Sequence, residues 1–510
     1  ALLGALPVAL GACGLLIGLD DHQPFPPSDA DAGEDVVDPP DAAPDGPIDM
    51  PDALPDVVTD ACAVCGDTCV DTSADPKNCG QCGLACLAGF SCSAGVCGDH
   101  IVQISAGSNH GCALLHDRSV WCWGGDDAGQ LGILASDDVQ CVAGALCHPT
   151  PIQVKGLPPK IIQIAAGPRS TCAVVATGGV WCWGANDTLQ LGRPTLPSPL
   201  YDRTPAQVPG LPAVAQVAVG YGFACARATD LSKVYCWGSN LTGTLGNGQK
   251  EGSPGGFPPG DVVALPAGIL DISTGLGDHA CALDSTQHVY CWGSNASGQL
   301  GHSSVIDSAV CPTAKCTSIP SKVPGLTVTG GWIRAGAADT CAETGSGSVV
   351  CWGSNVYGQL GFTPDAKEHE LPMQILSATD EVASSFHGRY ATSCILQNNA
   401  VDCWGDDTYG ELGRGALVQS LCFGGGRCDF MKGTVKPFGG SVTAQLAAGA
   451  FWGMALTTDN RIYAWGANLD GRIGHAPMTS NDLGSCGYQS MDPCNPTPQL
   501  VPQPGKPPLP

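Results

Sequence analysis

Basic residues are scarce in this chain: 22 Lys and Arg stand among 510 residues against 47 Asp and Glu, leaving a net charge of −25. Neutralising a phosphate backbone takes a clustered positive surface, and none is visible, so nucleic acid is excluded as a partner. Local catalytic signatures are missing as well. No GxSxG elbow, HExxH pair, GxxxxGK loop or EF-hand spacing occurs, which removes the motif-borne hydrolase, metallopeptidase, nucleotide-binding and calcium classes. A catalytic set gathered from distant parts of a repeat fold is untouched by that absence.

What is present forms turns and a core. The 70 Gly and 41 Pro imply frequent turns, and 43% hydrophobic against 14% charged residues is ample for a buried interior. Acidity is uneven: residues 20–60 hold thirteen Asp and Glu and no Lys or Arg, in segments such as DPPDAAPDG. These carboxylates follow no metal-ligand spacing, so residues 20–61 read as a disordered linker that Pro and like-charge repulsion keep extended.

The 29 cysteines, mostly in close pairs, call for oxidising surroundings. Residues 1–19, ALLGALPVALGACGLLIGL, are apolar and uncharged, and Leu10, Gly11, Ala12 and Cys13 resemble the bacterial lipoprotein cleavage motif. That resemblance implies a lipid on Cys13, the odd cysteine, with 28 left to pair. A plain cleaved secretion signal and an uncleaved membrane helix stay open, since 19 apolar residues just suffice to span a bilayer. The run lacks the charged start of a signal segment and is expected to be a trimmed one. All three readings export the remainder, as a lipoprotein of the bacterial outer membrane or cell surface or as a secreted protein.

Residues 62–98 form a second unit, with Cys62, Cys65, Cys69, Cys79, Cys82, Cys86, Cys92 and Cys97 in place of an apolar core. Four disulfides are expected, with roughly 105 connectivities open. Zinc is the rival, through Cys65/Cys69 and Cys79/Cys82. The stretch NCGQCGLAC followed by GFSCSAGVC resembles the plant stigma-specific type of cysteine-rich module that recurs in exported myxobacterial proteins.

From residue 99 to 503 one unit repeats seven times. Trp123, Trp183, Trp237, Trp292, Trp352, Trp404 and Trp465 are each followed by Gly, at intervals of 60, 54, 55, 60, 52 and 61 residues. Short alternating stretches around ISAG, CAL and VxCWG predict three strands. TPIQV (150–154), TPAQV (204–208), IPSKV (319–323) and LPMQI (371–375) predict a fourth, at an edge where Pro is tolerated. The fold expected is all-β: a seven-bladed β-propeller of four-stranded antiparallel blades, with residues 504–510 as a tail. Ile101 opens the first unit without a preceding fourth strand and TPQLV (497–501) follows the last unit, so the chain's end is expected to pair with its beginning.

Six units carry cysteines at like positions: Cys112/Cys122, Cys172/Cys182, Cys225/Cys236, Cys281/Cys291, Cys341/Cys351 and Cys394/Cys403. The seventh has Met454 and Ala464, so both partners vanish together, as one bond requires. Directly opposed residues on antiparallel strands are expected to fall within the Cα range that a disulfide accepts. Each bridge contributes at most ~2.8 kcal/mol by chain entropy, a gain that counts in an exposed location. Four more pairs, Cys141/Cys147, Cys311/Cys316, Cys422/Cys428 and Cys486/Cys494, begin 18 to 21 residues after the Trp of their unit. Their equivalence predicts stapled loops on one face, where long loops carry recognition. Asp126, Asn186, Asn240, Asn295, Asn355, Asp407 and Asn468 read as turn formers, and the Trp-Gly tryptophans as packing between blades.

The AG…CAL…VxCWGxNxxGQLG frame resembles the regulator of chromosome condensation repeat family. The resemblance implies a seven-bladed propeller, and points to nucleotide exchange on a nuclear GTPase, which suits an exported chain poorly, or to β-lactamase inhibition by a secreted relative. Two residues before the first repeat cysteine stand His110, Ser170, Phe223, His279, Asp339, Thr392 and Trp452. Their diversity inside a constant frame marks an expected recognition ring, with Phe223 and Trp452 as anchors. His110 and His279 sit three units apart, so no metal is expected, and no cofactor. The function expected is a non-catalytic, exported or surface-anchored monomer that presents a propeller face to a protein or glycan and reaches the membrane through its N-terminal lipid. An extracellular hydrolase or lyase using carboxylates or histidines on one face is the alternative.

Overall fold

The structure, a computed structural model, describes Cys13–Gly14, parts of residues 63–100 and most of 101–504, the longest gaps being 195–199, 250–255, 304–314, 377–384 and 487–491. The expected linker and nearly all of the expected signal segment and tail lie outside the described residues. Seven antiparallel sheets stand around one axis, each built on four strands in chain order from the axis outwards, to which Cys13–Gly14 and Val139–Gln140 add in the first and Leu483–Cys486 in the seventh. In blade one these are Ile101–Ala106, His110–Leu115, Val120–Gly125 and Leu146–Gln153. In blade seven they are Thr443–Gly449, Trp452–Thr457, Ile462–Ala467 and Asp492–Leu500.

Blades stack face to face, so both sides of the inner strands must be apolar or hydrogen-bonded. The second strand is accordingly buried along its whole length in all seven blades. The outer strands are partly exposed and take the prolines, Pro151, Pro205, Pro320 and Pro372, because no further strand needs their N–H. Apolar clusters span neighbouring blades: Ile101, Ile104, Leu115 and Trp123 of blade one pack with Met454, Leu456, Ile462 and Ile473 of blade seven.

Closure differs from expectation. TPQLV belongs to Asp492–Leu500, which pairs with Ile462–Ala467 of its own unit, Leu500 opposite Tyr463. Each blade is therefore one contiguous unit, and no strand is exchanged between the ends. The ring shuts because the inner strand of blade seven lies against that of blade one, just as every other pair of neighbours does.

The six repeat cysteine pairs are bonded as expected: Cys112–Cys122, Cys172–Cys182, Cys225–Cys236, Cys281–Cys291, Cys341–Cys351 and Cys394–Cys403. Two features of their setting differ from expectation. Their Cα atoms are 4.1–4.2 Å apart, under the roughly 4.4 Å at which the ordinary disulfide range begins, because the two strands meet there as a narrow, non-hydrogen-bonded pair. They are also interior rather than presented to solvent. Cys122, Cys182, Cys291, Cys351 and Cys403 on the third strands are fully buried and Cys236 is 1% exposed, and their partners on the second strands are buried too. Each bridge lies in the apolar cluster that holds the repeat Trp of the next blade: Cys122 with Trp183, Cys182 with Trp237, Cys236 with Trp292, Cys291 with Trp352, Cys351 with Trp404 and Cys403 with Trp465. Met454 and Ala464 oppose each other in the same register and fill the same place against Trp123.

Gly after each Trp has a positive φ of 99–110°. In six blades a β carbon there would overlap the carbonyl oxygen of the inner-to-second turn, which is why Trp-Gly recurs. In the cysteine-rich unit, Cys79–Cys92 and Cys86–Cys97 are disulfides. The sulfurs of Cys79, Cys86 and Cys97 lie within 4.8 Å of one another, yet each is bonded in a bridge and is no zinc ligand.

Candidate recognition face and interblade seams

In a four-stranded meander the inner-to-second and third-to-outer connections leave from the same end of the blade. That end carries the staples. Cys147, Cys316, Cys428 and Cys494 begin or lie near the start of outer strands and oppose Gly125, Ser294, Asp406 and Ala467 at the ends of the third strands. Cys141–Cys147, Cys422–Cys428 and Cys486–Cys494 are formed. Cys316 is disulfide-bonded, and Cys311 lies outside the described residues. The predicted one-sided rim is thus present, and it exposes apolar side chains: Leu134 at 64%, Leu241 at 62% and Leu421 at 75%.

The N-terminal unit arrives at the opposite end. His116 and Asp117, in the second-to-third turn of blade one, donate backbone N–H groups to the carbonyls of His100 and Gly98 at 2.7 and 3.1 Å. Asn460, in the same turn of blade seven, donates from Nδ2 to the Asp99 carbonyl at 3.2 Å. Whatever precedes residue 98 is therefore joined to the face that carries no staples.

The proposed ring of His110, Ser170, Phe223, His279, Asp339, Thr392 and Trp452 is not a surface. Every member is buried, because each opposes the Gly of its Trp-Gly, one step below the loop tip. His110 Nε2 meets Thr171 Oγ1 of the next blade at 2.9 Å, and His279 Nε2 meets Thr340 Oγ1 at 3.0 Å. Thr392 donates to the Asp406 carbonyl, and Trp452 donates across the closing seam to Gly107 and Ser108. Burial lowers the His279 pKa to about 3 and raises that of Asp339 to about 7. These residues vary because each fits a different neighbour.

The tryptophans do pack between blades, and their polar ends close a second ring. Each indole N–H donates to a backbone carbonyl of the preceding blade: Trp183 to Gln130, Trp237 to Gln190, Trp292 to Thr244, Trp352 to Gln299, Trp404 to Gln359, Trp465 to Glu411 and Trp123 to Arg472, at 2.7–3.0 Å. The acceptor is always the residue in the Q slot of GQLG. Six of the turn formers act as expected, Asp126, Asn186, Asn240, Asn295, Asn355 and Asp407 accepting the N–H five residues on.

Sequence reasoning missed the inner seam. Gln103, Gln163, Gln216 and Gln445 each extend an amide to the inner strand of the following blade, accepting from its N–H and donating to a carbonyl there. The signal was available: Gln recurs four residues before the AG-turn glycine in IVQISAG, IIQIAAG, VAQVAVG and TAQLAAG. In blade seven the Q slot of GQLG holds Arg472, which forms two 2.7 Å contacts with Asp470 and reaches the carbonyls of Ser108, across the closing seam, and Ala450 at 3.2 Å.

Carboxylates cluster beneath the staples. Asp126 and Asp138 of blade one share Arg203 of blade two. Burial raises the Asp126 pKa, opposed by the Leu131 N–H and by Arg203. In blade six Asp406, Asp407 and Glu411 are all buried. A cleft of about 310 Å³ opens beside that staple, lined by Pro364, Leu421, Cys422, Cys428 and Phe430 among others.

A family model described as RCC1-like domain matches residues 144–484, and one for the regulator of chromosome condensation (RCC1) repeat matches residues 101–130. The chain belongs to the RCC1-like family. Among its relatives is the ultraviolet-B receptor UVR8 of Arabidopsis thaliana, 26% identical over 381 residues, covering 73% of this chain and 78% of that protein. The human E3 ubiquitin-protein ligase HERC2 is 27% identical over 365 residues, 70% of this chain but only 7% of HERC2. Crystal structures of Prp20p from Saccharomyces cerevisiae (23% identity, TM-score 0.58, covering 75% of this chain and 85% of that one) and of human WBSCR16 (22%, 0.59, 76% and 95%) share the fold.

Proposed function

We propose that this RCC1-like propeller is an exported, surface-tethered binding module without catalysis of its own, which recognises a protein partner through its stapled face. The observation that carries this reading is the opposition of the two ends. The N-terminal unit joins one face, while the disulfide-held loops and exposed Leu134, Leu241 and Leu421 occupy the other, so an anchored molecule presents its apolar rim away from its anchor. Its disulfides require oxidising surroundings. Among relatives, UVR8 is named a receptor, and the Prp20p structure was reported with that protein's binding to Gsp1p and histones; both support a role in binding.

A hydrolase or lyase would need close carboxylates within reach of substrate. The close sets here, Asp126 with Asp138 and Asp406 with Glu411, are buried, which favours binding. The lipid on Cys13 belongs to the same proposal. Cys13 pairs with Ala106 of the innermost strand of blade one, so anchoring and that pairing are alternatives.

The test is capture of exported proteins and cell-wall fractions by the purified full chain. Leu134→Asp with Leu421→Asp is expected to abolish capture of a partner that an Arg118→Asp variant, altered on the opposite face, retains. Equal capture by all three overturns the assignment of the face. Mass labelling of Cys13 with a fatty acid decides the anchor separately.

A further inference from the structure

The innermost strand of a blade is hydrogen-bonded along one edge by the second strand, and its other edge faces the axis, where its N–H and C=O groups need partners of another kind. Register settles which groups these are. Cys112 and Cys122 form a narrow, non-hydrogen-bonded pair, so Cys112 turns its N–H and C=O toward Ser105, opposite it on the inner strand. Ala106, the next residue, therefore directs its own N–H and C=O to the axis. In blades two and five the equivalent N–H groups, of Ala166 and Ala335, are taken by serine hydroxyls of the preceding blade, Ser105 and Ser273, both at 2.9 Å. Before blade one the residue in that slot is Ala447, which has no hydroxyl to offer; before blades three and four it is Ala165 and Ala218.

A strand stands at this edge of blade one. Cys13 lies opposite Ala106 and Gly14 opposite Ser105 in an antiparallel pair. The same two residues come within 8 Å, Cα to Cα, of the inner strands of blades two, three, four and seven as well as of blade one, which puts them inside the axial channel. Toward the unstapled end the channel wall turns apolar. The inner strands of blades two and four begin with a bulge whose extra residues, Ile162 and Leu270, have no partner on the second strand. These side chains are 43% and 45% exposed, and because neighbouring blades cover both faces of an inner strand, that exposure is to the axis. The antiparallel direction runs from Gly14 toward Ile101, the end at which residues 98–100 join blades one and seven.

We propose that the axial channel is a binding site for an extended apolar peptide, held by strand addition to the inner edge of blade one, and that the strand Cys13–Gly14 of this chain is its occupant. Main-chain pairing at Ala106 supplies affinity, and the exposed Ile162 and Leu270 select for apolar side chains. Residues 1–19, in which the strand lies, carry no charge. The site is separate from the stapled face and does not depend on it. It is filled in the chain without a lipid on Cys13, since anchoring withdraws the strand.

Two full-length variants that cannot carry a lipid separate pairing from anchoring. Cys13→Ser keeps the backbone N–H at position 13, whereas Cys13→Pro removes it and its ring obstructs pairing. In hydrogen exchange the Ala106 amide should be ~10-fold better protected in Cys13→Ser than in Cys13→Pro, the effect of about one hydrogen bond. The Ala166 and Ala335 amides, held by serine hydroxyls, should match in the two chains. A synthetic peptide with the sequence of residues 10–19, added to Cys13→Pro, should restore Ala106 protection and leave Cys13→Ser unchanged. Equal Ala106 protection in the two variants overturns the proposal, as does a loss shared equally by Ala166 and Ala335. A peptide that restores nothing to Cys13→Pro overturns the channel as a peptide site.

Discussion

Removing Arg472 should open the propeller at one seam and leave the other six shut. Its guanidinium and the Asp470 carboxylate are 7% and 8% exposed, joined by two 2.7 Å contacts, with further bonds to Ser108 and Ala450 across and within the seam. Arg472→Met leaves Asp470 buried without a counter-ion, which costs about 3–5 kcal/mol. Over a propeller of roughly 400 residues, whose unfolding entropy is near ~0.8 kcal/mol/K, this lowers the midpoint by roughly 4–6 °C in calorimetry. The location is as informative as the size. The Ile101 and Ile104 amides, held by Asn460 and Gln445 of blade seven, should exchange faster, while the Ile164 and Val217 amides, held by Gln103 and Gln163, should not. Adding Asp470→Asn removes the stranded charge and should restore more than half of the loss. A single-variant loss below about 1 kcal/mol, or exchange that rises equally at all seams, refutes closure by side chains at the seam between blades seven and one.

Asp339→Asn should stabilise the protein above neutral pH: burial holds the Asp339 pKa at about 7 in the folded state, so the native chain loses stability as pH climbs from about 4 to 7, up to ~4 kcal/mol, and the amide does not. Urea midpoints at pH 5 and pH 8 read the difference, and parallel curves for the two proteins would contradict it. Replacing Cys341 and Cys351 together by Ser should cost at most ~2.8 kcal/mol by chain entropy, since the bridge closes a short loop between strands already paired; a loss twice that size in urea titration would show that the buried bridge shapes the folded state itself.

Repetition made most of the architecture legible in one chain without any alignment. The seven Trp-Gly dipeptides set the blade count, since each needs the same neighbour on one side. The joint loss at Met454 and Ala464 identified the six cross-strand bonds, because a disulfide has two ends and register puts them opposite each other. The like offset of the stapled pairs placed them on one face, as equivalent positions in a closed ring must be.

Three things were decided only when the blades stacked. Period-two alternation separates an apolar from a polar side in a sheet with one wet face, but an inner propeller strand is covered on both, so nothing in the pattern around His110 or Phe223 says that those side chains fill a seam. The cysteines illustrate the same point: their pairing follows from register within one blade, whereas the burial of Cys122 against Trp183, or of Cys403 against Trp465, exists only once the next blade arrives. Likewise, TPQLV could pair with either open edge; the antiparallel register of Leu500 with Tyr463 and the contacts of Gln445, Asn460 and Arg472 with blade one settle that the ring closes through side chains, because those polar groups find their partners only once blades seven and one meet.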